Sequence, residues 1–250
     1  MAEITNVTNS VIVVPCYNES KRINPEQYLD QLKKFSSTVI LVDDGSPDDT
    51  YKVLHKLEMS APDRFGAIKM IKNKGKAEAV RLGMNHALQE YRHAKYIGYL
   101  DADLAVKFSE APDMIDCFKK NPNITTVIGV RTRNEGYDIQ RSNIKYFMQR
   151  IIAKMGNMLF SPDVIDTQCG AKFFKAEALK TVIKEPFISK WLFDQELLTR
   201  LYKQRKSDEW LHSYPVKSWT EIGNSHRKTT DYLRCLKEYF KILKRYGLKK

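Results

Sequence analysis

Two aspartates separated by a single alanine, Asp101-Ala102-Asp103, follow directly on the apolar run Tyr96–Leu100 (YIGYL). In an extended segment residues i and i+2 point the same way, so the two carboxylates are expected to converge on one cation while Ala102 faces away. Hard oxygen donors of this kind suit Mg2+ or Mn2+, with one or two carboxylates and substrate phosphate oxygens sharing the coordination. The pattern alone is common, and its context is what raises it.

Three more polar clusters follow apolar runs. They are PCYNE (Pro15–Glu19), DDGSPDD (Asp43–Asp49) and KNKGKAEA (Lys72–Ala79). Lys76, in a glycine-containing loop at an expected helix start, can meet a diphosphate through its charge and the neighbouring amides. An acid after the second run can accept hydrogen bonds from a base N–H or a ribose hydroxyl. A fold needs only turn chemistry at such places, and acids accumulated beside a basic loop exceed that need.

The elements that must carry these clusters alternate along the chain. Strands are expected at Val11–Val14, Thr38–Val42, Ala67–Ile71 and Tyr96–Leu100, with helices at Pro25–Phe35, Ser46–Met59 and Lys76–Tyr91 between them. This rhythm is the signature of crossover helices joining a mostly parallel α/β sheet. Ser46 is expected to cap the second helix, with Pro47 in its first position. Farther on, helices are expected at Ala111–Lys120, Ile144–Phe160 and Phe193–Gln204, and strands at Thr126–Arg131, Ala171–Phe174 and Trp210–Tyr214. In a doubly wound sheet ligands bind beyond the carboxyl ends of the strands, where all four polar clusters fall.

The chain has 250 residues, 42% of them hydrophobic, which is enough to bury a substantial core. A net charge of +12 predicts attraction to something anionic, whether nucleic acid, nucleotide, phosphorylated substrate or membrane surface. The four cysteines, Cys16, Cys117, Cys169 and Cys235, lie far apart and suggest neither a zinc site nor a disulfide framework. There is no leader-like pattern at MAEITNVTNS and no run of about 18 uncharged apolar residues. A soluble or peripheral protein in a reducing, cytoplasmic compartment is therefore expected. The segment DYLRCLKEYFKILKRYGLKK reads as a basic amphipathic helix, suited to an anionic membrane face or to docking on its own core.

Taken together, VVPCYNES, ILVDDGSPDDT, NKGKAEAVRLGM and YLDADLA resemble a family 2, GT-A-fold glycosyltransferase. VIGVRTR, QRSNIKYFMQR, DTQCGAKFFKAEA, WLFDQELL and VKSWTEIGNSHR narrow the resemblance to dolichyl-phosphate β-glucosyltransferases and other polyprenyl-phosphate glycosyltransferases. The resemblance implies a Rossmann-like, mostly parallel sheet flanked by helices in a single domain. Residues 11–105 would form the nucleotide-sugar half, 106–228 the acceptor half and 229–250 the C-terminal helix.

It further implies donor contacts from Pro15, Tyr17, Glu19, Asp43, Asp44, Lys76, Asp101, Ala102 and Asp103. Asp101 and Asp103 would hold the divalent metal, Arg131 and Arg141 the lipid phosphate, and a loop at Glu221–Arg227 would close over the diphosphate. The chain departs from the usual G-S-K of that loop, since Ser225 is followed by His226 and Arg227. Ala105 stands where mannose synthases place a glutamine, which leans toward the glucosyltransferase branch.

The chemistry implied is inverting, in-line displacement at the anomeric carbon, with the metal offsetting charge on the departing nucleoside diphosphate. A lipid phosphate is already anionic and needs no base. A sugar hydroxyl would need one, and Asp194 is then the candidate, with Glu196 as the alternative. The rival from another class is a nucleic-acid-binding protein. It is disfavoured because no nucleic-acid motif appears and acids clustered at a strand edge repel phosphates.

Overall fold

The computed structural model describes residues 9–33, 35–132, 138–140, 143–220 and 229–248. The four apolar runs of the first hundred residues form adjoining parallel strands: β1 (Ser10–Cys16), β2 (Thr38–Asp43), β3 (Phe65–Lys69) and β4 (Tyr96–Leu100). Alternation along β1 and β2 feeds two cores. Val11, Val13, Ile40 and Val42 pack on one side of the sheet, while Ile12, Val14, Val39 and Leu41 pack on the other. Burial on both faces explains why these strands read as continuous Val/Ile/Leu runs.

The full sheet has the order β3-β2-β1-β4-β7-β5-β8. Strand β7 (Ala171–Lys175) runs antiparallel to both β4 and β5 (Thr126–Val130), and β8 (Leu211–Pro215) continues parallel to β5. The pairing of β4 with β7 sets Tyr99 opposite Lys172 and Leu100 opposite Ala171. This register brings the loop before β7 to the carboxyl end of β4. A separate two-stranded sheet joins β6 (Asp138–Gln140) to β9 (Ser218–Thr220).

Helices α1 (Pro25–Leu32), α2 (Thr50–Ser60) and α4 (Ala111–Lys120) cover one face of the sheet. Helices α3 (Lys76–Glu90), α5 (Asn143–Gly156), α6 (Ala176–Val182), α7 (Phe193–Lys203) and α8 (Thr229–Tyr246) cover the other. Every residue of α7 from Phe193 to Tyr202 is buried. Its Asp194, Gln195, Glu196 and Arg200 must therefore find partners inside the protein.

Several boundaries differ from expectation: α1 ends at Leu32 instead of Phe35, α5 at Gly156 instead of Phe160, and α2 and β3 are shifted for reasons the contacts show. Helix α2 starts at Thr50 instead of Ser46 because side chains ahead of it fold the chain into a loop. Asp43 Oδ1 accepts from the Ser46 amide at 3.0 Å, and Asp48 Oδ1 accepts from the Thr50 amide and hydroxyl. Gly45 turns that loop with φ +65°, where a Cβ would overlap the backbone of Lys72 and Asn73. Strand β3 lies two residues earlier than expected, since Phe65 supplies the buried anchor and Ile71 is left exposed beyond the strand.

Helix α8 docks on the core along one side. Tyr239 and Ile242 are buried against the core, whereas Leu236 and Phe240 remain exposed at 44% and 57%.

Candidate active site

The carboxyl ends of β1, β2 and β4 frame an open cleft with an empty volume of about 590 Å³. Pro15, Cys16, Tyr17 and Glu19 line it from the first loop, Asp44 from the second, Lys76 from the start of α3, and Asp101, Ala102 and Asp103 from the fourth. The structure thus gathers the four clusters picked out by sequence. It adds Arg22, which pairs with Glu19 at 3.2 Å.

The aspartates reach the cleft by a route other than the extended one expected. Strand β4 stops at Leu100, and Asp101–Leu104 form a turn closed by the Leu104 amide on the Asp101 carbonyl at 3.3 Å. Leu104 takes φ +55°, and Asp103 Oδ1 accepts from the Ala105 amide at 3.0 Å. An aspartate stabilises a tight turn in this way by bonding its own backbone two residues on. Tyr28 of α1 pins the turn from beneath, donating its buried hydroxyl to the Ala102 carbonyl at 2.6 Å. Sequence gave no reason to single out Tyr28, because an aromatic on the buried face of a helix reads as core.

Lys76 stands opposite, its Nζ 2.5 Å from Asp101 Oδ1 and above the rings of Tyr99 and Phe193. It occupies the first position of α3, where backbone amides have no intrahelical partner. Asp44 places it there: Oδ1 takes the Lys74 amide and Oδ2 the Gly75 amide, each at 2.8 Å. Burial opposes charge on Lys76, but the carboxylates of Asp101 and Asp194 more than offset this and hold its pKa above the ordinary lysine value.

Burial, with the charge of Asp101 added, raises the pKa of Asp103. Glu19 is raised too, by burial first and then by Asp103 and Asp101, against the pull of Arg22. Two carboxylates held toward their protonated forms by burial and by neighbouring acids are a setting that a cation relieves. Among the described residues, Glu19 Oε2 and Asp43 Oδ2 are buried without a hydrogen-bond partner, and buried Asp101 Oδ1 meets Lys76 as an ion pair. Among the described residues no group of three or more His, Cys, Asp or Glu side chains could hold a metal by itself. Carboxylate oxygens such as those of Asp101 and Asp103 are hard donors of the kind that suits a divalent ion whose remaining positions phosphate oxygens and water would fill.

Other expected site residues have partners of their own or lie outside the described residues. Arg131 is only 9% exposed and is gripped by Asp166, through Nε at 2.6 Å and a terminal nitrogen at 2.9 Å, while stacking on Trp219. The structure thus ties Arg131 to the DTQCG segment. Asp194 is buried, accepting from Tyr99 and paired with Lys172 at 2.9 Å. Glu196 is locked by the amides of Ile188 and Ser189, by Arg200 and by Tyr246. Both carboxylates are thus engaged by partners inside the protein. Burial pushes the Cys169 thiol up to about 12, which fits a packed side chain and not a nucleophile. Arg141 and Ser225, His226 and Arg227 lie outside the described residues.

A doubly wound α/β sheet with an acid-and-lysine cleft at its carboxyl edge defines a nucleotide-binding class of fold. Residues 11–183 match the family described as Glycosyl transferase family 2, and the chain belongs to that family.

A dolichyl-phosphate beta-glucosyltransferase of Trichomonas vaginalis is 30% identical over 241 residues, covering 90% of this chain and 68% of the relative. The human protein of that name is 33% identical over 202 residues, covering 75% of this chain and 61% of its own length. The chain thus spans about two thirds of the length of these curated relatives. Among solved structures, a mannosyltransferase of Pyrobaculum calidifontis in complex with GDP-Man and Mn2+ aligns with TM-score 0.64 at 18% identity, covering 95% of this chain and 64% of that one. Glucosyl-3-phosphoglycerate synthase of Mycobacterium tuberculosis, with Mn2+, UDP-glucose and phosphoglyceric acid, aligns with TM-score 0.69 at 16% identity, covering 97% and 81%. At these identities the structural likeness speaks for the fold.

Proposed function

We propose that the protein is an inverting glycosyltransferase that moves glucose from UDP-glucose to a polyprenyl or dolichyl phosphate at the cytoplasmic face of a membrane. The observation that carries the donor half is the pair of Asp101 and Lys76, 2.5 Å apart at the mouth of the cleft with Asp103 and Glu19 beside them. Asp101 and Asp103 would hold Mg2+ or Mn2+, which when bound supplies positive charge to the departing diphosphate. Lys76 and the free amides of the first turn of α3 receive the phosphate oxygens by charge and hydrogen bonding. Pro15, Tyr17, Asp44 and Ala102 border the same donor, buried Asp43 holds the adjoining loop through the Ser46 amide in place of the donor contact expected of it, and Ser225, His226 and Arg227 belong to the loop proposed to cover the donor.

The commitment of Asp194 to Lys172 favours a phosphate acceptor over a hydroxyl. A phosphate monoester brings its own negative oxygen and attacks without surrendering a proton, so the reaction needs no carboxylate base. The names borne by the curated relatives point to the same acceptor. Arg141 is the proposed phosphate contact, given that Arg131 is held by Asp166.

Helix α8 supports the membrane location. Exposed Leu236 and Phe240 are flanked by exposed Lys237, Lys241 and Lys244, a combination suited to anionic lipid. Exposed Phe147 and Met158, in and just after α5, add to the apolar surface, and Tyr239 of α8 donates to Met158 Sδ at 3.5 Å. Among the described residues no helix is long and apolar enough to cross a membrane.

The test is to supply purified protein with Mn2+ or Mg2+, a panel of UDP- and GDP-sugars, and short-chain polyprenyl phosphate or sugar acceptors. Glycosyl phosphate lipid and released UDP are expected. Full turnover by Asp103→Ala would overturn the site, and glycosylation of hydroxyl acceptors alone would overturn the acceptor.

A further inference from the structure

Lys172 is a fully buried charge that the proposed chemistry leaves unused. From β7 its Nζ donates to the Cys169 carbonyl at 2.6 Å and to Tyr99 Oη at 3.0 Å, and it pairs with Asp194 Oδ1 at 2.9 Å. Three ammonium protons thus meet three acceptors. Tyr99 closes the network by donating to the same Asp194 oxygen. A well-packed apolar pair of the same shape would commonly serve stability as well or better, so the network's value is to be sought in what it holds in place.

Each of its branches ends on one member of the Asp101–Lys76 pair. The Cys169 carbonyl leads into Gly170, whose carbonyl takes the Asp101 amide at 3.0 Å and whose Cα lies so near the Asp101 carboxylate that a Cβ would overlap it. On the other branch, the ring of Tyr99 and that of Phe193, the neighbour of Asp194, lie 5.7 and 5.9 Å from Lys76 Nζ. One buried ammonium therefore supports both the anion and the cation that face the cleft.

We propose that Lys172 is a positioning residue for the donor site. It clamps the Cys169-Gly170 turn against Asp101 and steadies the Tyr99–Phe193 bed beneath Lys76, fixing both charges before a diphosphate arrives. It touches no substrate. The identity of the donor rests on the glycosyl-transfer reading, whereas the clamp is a property of this fold.

The experiment compares Lys172→Met, Asp194→Asn and the double variant by amide hydrogen exchange of the peptide containing Asp101, by thermal melting, and by calorimetric binding of UDP in the presence of Mn2+. Lys172→Met is expected to speed exchange at Asp101 and to weaken UDP binding, each by about tenfold or more. Asp194→Asn keeps the bond from Lys172 to Cys169 and is expected to leave exchange at Asp101 as in the native protein. The double variant has no uncompensated buried charge, so it should recover thermal stability while exchange and binding stay at the Lys172→Met level. It also carries the measurement if Lys172→Met fails to fold. Native exchange at Asp101 in the double variant would overturn the proposal and reduce Lys172 to a counter-charge for Asp194. If the native protein bound no UDP, the glycosyl-transfer reading would fail while the exchange data still decided the clamp.

Discussion

Gly170 presses its bare Cα against the carboxylate of Asp101 while its carbonyl accepts the Asp101 amide at 3.0 Å. The loop before β7, far away in sequence, is thereby one wall of the aspartate turn. Gly170→Ala must displace the carboxylate, the glycine or both. Overpacking at such a contact costs about 1–3 kcal/mol, and a misplacement near 1 Å costs about 10²-fold in rate. A modest drop in melting temperature with a disproportionate loss of kcat/KM is the expected result, and native kinetics would refute the contact's importance.

Lys76→Met should separate binding from stability. The Lys76–Asp101 pair is more than a third exposed, so its loss should alter stability by only about 0–1 kcal/mol. Removing a charge aimed at the departing diphosphate should instead cost about 10²–10³ in turnover. Steady-state kinetics beside a melting curve would show the split, and a large stability loss with intact turnover would contradict it.

Cysteine chemistry offers a check that involves no substrate. With the Cys169 thiol pushed up to about 12 by burial, its thiolate fraction at pH 8 is about 10⁻⁴, and its lack of access to a reagent slows labelling further. Cys16 is also buried, with its pKa raised by burial and by Glu19 and Asp43. Mass spectrometry after iodoacetamide treatment at pH 8 should find both unmodified in the native protein and modified once it is unfolded. Because the thiol is the form favoured in the fold, raising the pH through the range below 12 should increase labelling of Cys169. Rapid native labelling at pH 8 would show the burial to be wrong.

Vesicle binding tests the outer face of α8. Leu236→Glu with Phe240→Glu replaces two exposed side chains, so the melting temperature should change little. Co-sedimentation with vesicles containing anionic lipid should fall about tenfold or more, since two apolar anchors are lost and two repelling charges gained. Binding in the native protein should also weaken as salt rises. Unchanged sedimentation would place the lipid contact elsewhere.

The local chemistry of the site was readable because it is local. A run such as TVILV has few options other than a buried strand, and a polar cluster after each run falls at the ligand-binding edge once crossover connections make the strands parallel. Helix starts were harder to read. Ser46 looked like a cap, but its hydroxyl accepts the distant Asn18 amide, while Asp43 takes the Ser46 amide and Asp48 the Thr50 amide. Arg131 and Asp194 carried the right types for acceptor chemistry, yet the fold binds them to Asp166 and Lys172. Lys172 itself passed unnoticed, because one lysine in AKFFK reads as the solvent side of an edge strand.

Residue order was thus sufficient for the α/β alternation, the gathering of PCYNE, DDGSPDD, NKGKAEA and DAD, and the family they resemble. Those inferences depend on periodicity and on neighbours a few residues apart. The antiparallel insertion of β7 between β4 and β5, the turn that presents Asp101, and the choice of which charges face the cleft depend on contacts between distant segments. A charge acquires its role from whichever partner burial brings within about 3 Å, and Lys172 meets Asp194 only because the sheet register and α7 place them together.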